Sequence, residues 1–141
     1  MSSTTLSTGR FRWLAAVYVL IIALVVMLAN DGHYSFIFTW IRAIPDADKI
    51  GHFVLMGGLS FVVNLACGLR TFTALKRPWL LGSAIVTVIV VLEEISQAWV
   101  PTRTFDLVDL LFDFLGIYCF ALLARRVGVM RDENKDVRGK P

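Results

Sequence analysis

Cysteine, proline and charged residues are scarce in this chain. Of its 141 residues, two are Cys, four are Pro and 18% are Asp, Glu, Lys or Arg. Cys67 and Cys119 both fall in long apolar segments, which argues against a disulfide framework and favours a packing role for the thiols. The sequence also has no internal repeat, glycine-rich phosphate loop, serine elbow or zincin motif. No known catalytic motif therefore indicates which reaction the protein would catalyse.

Apolar residues are abundant instead. They make up 57% of the chain, and the mean hydropathy of +0.69 is too high for an ordinary soluble domain. Each apolar segment is long enough to cross about 30 Å of hydrocarbon at roughly 1.5 Å per residue. The first could also be a cleaved signal peptide, although Met27 and Ala29 make a poor cleavage site. The sequence predicts an all-α fold, an integral membrane four-helix bundle with spans at 13–29, 50–69, 79–100 and 107–124. In the second span, the small residues Gly57, Gly58 and Ser60 predict close helix packing, and Asn64 is expected to be an interhelical hydrogen-bond partner.

Basic residues predict the orientation of this bundle, because cytoplasmic connections retain Lys and Arg. With the N-terminus inside, the basic residues outside are Arg42, Lys49 and Arg103. Those inside are Arg10, Arg12, Arg70, Lys76, Arg77, Arg125, Arg126, Arg131, Lys135, Arg138 and Lys140. Both termini are therefore expected in the cytoplasm, with 1–12 as an N-terminal segment, 13–124 as the membrane domain and 125–141 as a disordered basic tail.

Two connecting regions carry further expectations. An apolar stripe within 36–44, ended by Pro45, predicts a short helix that lies in the outer membrane–water interface. The functional alternative is that this helix covers the polar site. Asp46 or Asp48 is expected to cap the second span. The basic tail mixes acids with bases and lacks aromatic residues, so we expect contact with anionic membrane lipids and not with nucleic acid.

Polar side chains gather at the predicted outer ends of spans two, three and four. Within each span they recur every three or four residues, so each set occupies one helical face. Charge in lipid is expensive, at about 2.5–3.5 kcal/mol for a charged residue at the bilayer centre on insertion scales, and a cluster there is a functional-site hypothesis by default. The predicted pocket consists of Asp48, Lys49, His52, Glu94, Gln97, Arg103, Asp106, Asp109 and Asp113.

This pocket is too acidic to be fully ionised in a low dielectric. One or more carboxyl groups should be protonated, or a cation should bind. With one histidine and no cysteine nearby, zinc is disfavoured, and no metal or other cofactor is predicted, while an oxygen-rich Ca²⁺ or Mg²⁺ site stays open. The planar fork of Arg103 suits a carboxylate or phosphate ligand, and a structural clamp to Asp106 or Asp109 is the alternative.

These residues resemble the pattern of the VanZ-like membrane protein family. The resemblance covers 46–116 and rests on Asp48-Lys49-Ile50-Gly51-His52-Phe53, followed by Glu94, Gln97, Pro101, Arg103, Asp106 and Asp109. The family usually has asparagine at the position of Asp113, and Glu93 is an additional acid that is expected on another stripe. The founding VanZ type is associated with resistance to the glycopeptide teicoplanin, although many relatives stand alone. The resemblance implies a multi-pass protein of the bacterial plasma (inner) membrane with an envelope-facing site.

Three classes of function follow as hypotheses. The first is binding of a lipid head group, a cell-wall precursor or a glycopeptide antibiotic, centred on His52, Glu94, Gln97, Arg103 and Asp109. The second is an enzyme for lipid-linked phosphates, in which Glu94 or Asp109 is a general acid or base and Arg103 holds the phosphate. The third is a proton or cation relay, which the concentration of polar groups in the outer half disfavours. The ligand and the oligomeric state stay open.

Overall fold

The computed structural model describes residues 5–30, 46–99 and 106–138, and the side chains at 9–28, 46–99 and 106–130. The predicted interfacial helix at 36–44 and the predicted site residue Arg103 lie outside the described residues. The elements, in chain order, are α1 (Thr5–Asn30), α2 (Ala47–Ala66), β1 (Thr71–Ala74), β2 (Arg77–Leu80), α3 (Leu81–Gln97) and α4 (Leu107–Arg138).

Three of the described helices are long and apolar enough to cross a membrane. The candidate spans are Gly9–Leu28, Ala47–Ala66 and Leu107–Met130. Helix α3 occupies most of the predicted third span but has 17 residues, because Trp79 and Leu80 belong to β2. At about 1.5 Å per residue it is roughly 25 Å long, which is shorter than a hydrocarbon core of about 30 Å.

A β-hairpin joins α2 to α3, where the sequence predicts only a short connection. Its strands pair antiparallel, with Thr71 opposite Leu80 and Ala74 opposite Arg77. The two turn residues, Leu75 and Lys76, have positive φ angles of 52° and 60°. This backbone is typical of a type I′ turn, which normally favours Asn-Gly. Apart from this hairpin, the described elements are helical, as predicted.

Helix α2 is central and contacts α1, α3 and α4. Helices α2 and α4 come close where both carry glycine. A Cβ atom added to Gly57 would meet the carbonyl oxygen of Gly116, and one added to Gly116 would meet the carbonyl oxygen of Phe53. The prediction that small residues of the second span permit close helix packing is therefore confirmed.

An apolar cluster fills the middle of the described helices and consists of Met56, Leu59, Val86, Val90 and Ile117. On its hairpin side, Asn64 connects α2 to α3. The Asn64 Nδ2 donates to Ser83 Oγ at 2.8 Å, and the Ser83 backbone N–H donates to Asn64 Oδ1 at 2.9 Å. These bonds confirm the prediction that Asn64 is an interhelical hydrogen-bond partner.

The two ends of the helical region differ from expectation. Helix α4 continues to Arg138, so residues 125–138 are helical where the sequence predicts a disordered tail. No proline interrupts this stretch and apolar residues continue to Met130, so an already formed helix extends at little cost. Asp46 stands at the N-cap of α2, but its side chain makes no capping bond. Its carboxylate lies instead 3.7 Å from Lys49 Nζ, and the predicted capping interaction is wrong for this residue.

Candidate functional site

The described members of the predicted pocket lie at one end of the helices, where α2 begins, α3 ends and α4 begins. We call this the polar end and the opposite side, which carries β1 and β2, the hairpin end. Helix α3 runs antiparallel to α2 and α4, which are parallel to each other, and this course brings the three termini together. Four buried or half-buried side chains form what we call the polar cluster: His52, Glu94, Asp109 and Asp113.

His52 joins α2 to α4 through both of its ring nitrogens. Its Nδ1 lies 3.0 Å and 3.2 Å from the two carboxyl oxygens of Asp113, and its Nε2 lies 3.6 Å from Asp109 Oδ2. Asp109 and Asp113 are four residues apart, so both reach the same imidazole from one face of α4. The side chain of Asp113 is 1% exposed and that of His52 is 16% exposed. The pair is therefore largely removed from solvent, where charge-assisted hydrogen bonds are strong.

Glu94 joins α3 to the start of α4. It is 1% exposed, and its Oε1 accepts a hydrogen bond from the backbone N–H of Asp106 at 2.7 Å. The carboxylate of Asp106 in turn accepts from the backbone N–H of Val108 at 2.8 Å. Both acids therefore satisfy backbone groups at the start of α4, where the positive end of the helix dipole favours negative charge.

Two buried carboxyl oxygens lack a hydrogen-bond partner among the described residues. They are Glu94 Oε2 and Asp109 Oδ1. Glu94 lies within electrostatic range of both His52 and Asp109, so the three side chains interact within one cluster. Leaving a buried acceptor unpaired costs about 1–3 kcal/mol. The polar cluster therefore offers two acceptor positions to a ligand that carries N–H or O–H donors.

Charge in this cluster is unbalanced, as the sequence predicts for the larger pocket. Three carboxyl groups surround one imidazole, and the nearest described lysine, Lys49, acts on Asp109 from the rim. A proton, a cation or a ligand ammonium group would reduce this excess of acid. Within the described part of the chain, no group of three or more His, Cys, Asp or Glu side chains has a metal-holding arrangement.

Gln97 lies beside the cluster and pairs with Glu93. Its Nε2 donates to the two Glu93 carboxyl oxygens at 2.9 Å and 3.0 Å, and Gln97 is 5% exposed. Glu93 was expected on another stripe of the helix, outside the pocket, but it contacts a predicted pocket residue. The i,i+4 spacing of Glu93 and Gln97 was the available signal for this contact.

Asp48 and Lys49 lie at the rim and not in the buried cluster. The side chain of Asp48 is 59% exposed, and its carboxylate lies 3.4 Å from Lys49 Nζ. Exposed ion pairs of this kind contribute little to stability, typically about 0–1 kcal/mol. The described structure thus divides the predicted pocket into the buried polar cluster, Gln97 beside it, a helix-capping residue at Asp106 and the pair of Asp48 and Lys49 at the rim.

Ser83 is a half-buried residue of a second hydrogen-bond network, and it is not among the residues predicted from the sequence. Its hydroxyl lies 3.2 Å from Ser60 Oγ and also accepts a hydrogen bond from Asn64. The signal in the sequence is the pair Gly82-Ser83, which matches the small residues near Ser60 on the facing helix. This network belongs to the hairpin side of the apolar cluster and is separate from the polar cluster.

Comparison with known proteins gives one result. The family model described as VanZ/LLP1 matches residues 4–130. The match extends well beyond the resemblance at 46–116 and includes every residue of the polar cluster. No curated protein and no solved structure matches the chain.

Proposed function

This chain belongs to the VanZ/LLP1 family, and from that premise we propose that it is a multi-pass protein of the bacterial plasma membrane that binds a cell-envelope component. The binding site is the polar cluster, and it opens toward the outside. The observation that carries this proposal is a pair of buried oxygens, Glu94 Oε2 and Asp109 Oδ1, that have no hydrogen-bond partner among the described residues. A ligand that donates hydrogen bonds would satisfy both of them.

In this proposal α3 is the fourth membrane-crossing helix. Trp79 precedes it and Trp99 follows it, and both indoles are exposed, as is common at the two membrane interfaces. Basic residues of the hairpin and of α4, such as Arg70, Arg77 and Arg126, lie at the hairpin end. By the positive-inside rule this end is cytoplasmic, which puts both termini inside and the polar end at the envelope.

The chemistry of the cluster restricts the ligand. Three acids and one histidine favour a cationic or donor-rich partner, such as an ammonium or amide N–H group. A lipid head group, a cell-wall precursor and a glycopeptide antibiotic can each present such donors. A role in teicoplanin resistance would follow if the glycopeptide or its wall target is the ligand bound.

Native mass spectrometry of the full-length protein in detergent tests the binding proposal. The probes are phosphatidylethanolamine, a lipid-linked disaccharide pentapeptide and teicoplanin, each titrated separately. Glu94→Gln and Asp109→Asn should weaken the bound probe by about tenfold or more, because a hydrogen bond to a charged group contributes about 1.5–3 kcal/mol.

Asp48→Asn is the matched control, because Asp48 is an acid at the same end of the molecule but is 59% exposed. It should leave the affinity unchanged. Glu94→Gln keeps an oxygen that can accept from the Asp106 backbone, so the fold should survive. Equal binding of all three probes by the wild type and by both cluster variants would overturn the proposal.

The position of His52 favours an enzyme as the second candidate. An imidazole held by Asp113, with its other nitrogen toward Asp109, is oriented for proton transfer. The substrate would be a lipid-linked phosphate, and the measurement is phosphate release or transfer by proteoliposomes. If Glu94→Gln abolishes turnover but retains probe binding and the unfolding temperature, the protein is an enzyme and not only a binding protein.

A proton or cation relay is supported less well. The apolar cluster of Met56, Leu59, Val86, Val90 and Ile117 lies between the polar cluster and the network of Ser60, Asn64 and Ser83. Ion movement through such a layer requires water or polar side chains. We therefore expect no flux through the wild-type protein in reconstituted vesicles.

A further inference from the structure

A cavity lies at the hairpin end, away from the polar cluster. It is a groove of about 880 Å³ between β2, α3 and α4, within the range of roughly 300–1,000 Å³ that is usual for ligand pockets. Its walls are mainly apolar and include Val88, Phe114, Ile117 and Leu122. The groove runs from the hairpin toward the middle of the bundle, so its apolar part lies where lipid chains would surround the helices.

Two arginines stand at one end of this groove. Arg77 of β2 and Arg125 of α4 both line it, and both are exposed. Arg125 Nη2 donates to the Pro78 carbonyl oxygen at 3.3 Å, which fixes the guanidinium at the mouth while leaving it further N–H groups to donate. The described lining of the groove contains no Asp or Glu. Its mouth is therefore positively charged and its interior is apolar.

Trp79 marks the level of the mouth in the membrane. The indole lines the groove, and its Nε1 donates to the carbonyl oxygen of Ala74 at 3.0 Å, so the ring is held against the hairpin. Tryptophan is enriched at the level of lipid head groups. The arginines thus stand at the depth of lipid phosphates, with the apolar walls extending toward the hydrocarbon.

We propose that this groove, which we call the basic groove, binds one anionic phospholipid. An acyl chain lies between α3 and α4, and the phosphate accepts hydrogen bonds from Arg77 and Arg125. Arginine recognises phosphate through paired N–H donors, and basic residues next to a membrane attract anionic lipids. A packed protein helix would cover the apolar walls but would leave both guanidinium groups without an anion. This site does not depend on the function proposed for the polar cluster.

Lipid titration followed by native mass spectrometry tests the proposal on the full-length protein in a non-ionic detergent. The probes are phosphatidylglycerol and phosphatidylcholine with identical acyl chains. Arg77→Gln combined with Arg125→Gln should reduce the preference for phosphatidylglycerol by about tenfold or more, because choline neutralises the phosphate charge in phosphatidylcholine and the variant removes two positive charges that favour a net anionic lipid. Ala121→Trp, which fills the groove from α4, should reduce the binding of both lipids.

Arg126→Gln is the matched control, since Arg126 is the next residue on α4 and does not line the groove; it should leave the preference unchanged. Arg125→Lys keeps the positive charge and should keep most of the preference. Thermal unfolding checks each variant, and if the double variant does not fold, Arg77→Gln alone should still lower the preference. Asp109→Asn, which tests the polar cluster, should leave this lipid binding intact.

Three results would overturn the proposal. In the first, the folded double variant with Arg77→Gln and Arg125→Gln binds phosphatidylglycerol as strongly as the wild type. In the second, Arg126→Gln lowers the preference as much as the double variant, which would indicate nonspecific attraction to the basic end. In the third, the protein is a dimer that Ala121→Trp dissociates, which would show that a second copy occupies the groove.

Discussion

His52 is the residue that ties the polar end of α2 to α4. A hydrogen bond to a charged partner contributes about 1.5–3 kcal/mol to stability. Asp113 is 0% exposed, so water cannot take the place of the imidazole as its hydrogen-bond partner. Sequence reasoning placed His52 and Asp113 in one pocket but did not pair them. The pairing depends on the rotation of α2 against α4, which the close approach of Gly57 and Gly116 determines.

Replacing Asp113 by asparagine should preserve the fold. The amide has the same shape and its oxygen can still accept from His52, so we expect a loss of about 1 kcal/mol in the free energy of unfolding. Asp113→Ala removes the acceptor from a buried imidazole and should cost about 2–3 kcal/mol. Chemical unfolding in mixed micelles measures both, with Asp48→Asn as the neutral control. Equal losses for the two Asp113 variants would argue against the hydrogen bond.

At the scale of secondary-structure elements, the positions of the helices were predictable from the sequence. The contacts between helices were predictable only in part. Apolar segments of sufficient length gave α1, α2 and most of α4, and small residues indicated where α2 packs closely. The hairpin was not predictable because Leu75 and Lys76 are poor residues for a turn with positive φ. Helix α4 extends beyond its apolar segment, because an existing helix can add further residues without burying them.

Glycine at position 116 is predicted to be essential for the packing of α2 on α4. A Cβ atom there would meet the backbone carbonyl of Phe53, which cannot move aside as a flexible side chain can. Gly116→Ala should therefore lower the free energy of unfolding by about 1–3 kcal/mol. Gly51→Ala, where nothing lies within 4 Å of the added atom, should be neutral or slightly stabilising because alanine favours helix. Unfolding in mixed micelles compares the two, and similar losses would contradict this account.

The hairpin turn is a place where the sequence works against the backbone. Non-glycine residues in the left-handed region cost on the order of 1–3 kcal/mol each, and Asn-Gly is the favoured pair for such a turn. Leu75→Asn combined with Lys76→Gly should therefore raise the unfolding temperature. Leu75→Ala alone shortens a side chain that is 89% exposed and should change it little. A lower unfolding temperature for the Asn-Gly variant would contradict the explanation that left-handed backbone at these two residues is costly.

Across the whole molecule, charge is divided between the two ends. The polar end holds the buried acids, and the hairpin end holds Arg77, Arg125 and the basic groove. This division was predictable from the order of charges along the chain, because antiparallel helices bring alternate connections to the same side. The buried contacts were not predictable from the sequence. Glu94, for example, contacts the start of α4 by accepting from a backbone N–H group, and no residue pattern indicates such a bond.

The orientation of the molecule is testable with one pair of cysteines at opposite ends. Asp46 is 72% exposed at the polar end, and Leu75 is 89% exposed at the hairpin turn. In a background in which Cys67 and Cys119 are replaced by alanine, Asp46→Cys should react with a membrane-impermeant maleimide added to intact cells. Leu75→Cys should react only after permeabilisation, because the positive-inside rule puts the basic hairpin in the cytoplasm. The reverse pattern would turn the polar cluster toward the cytoplasm and exclude an extracellular envelope ligand.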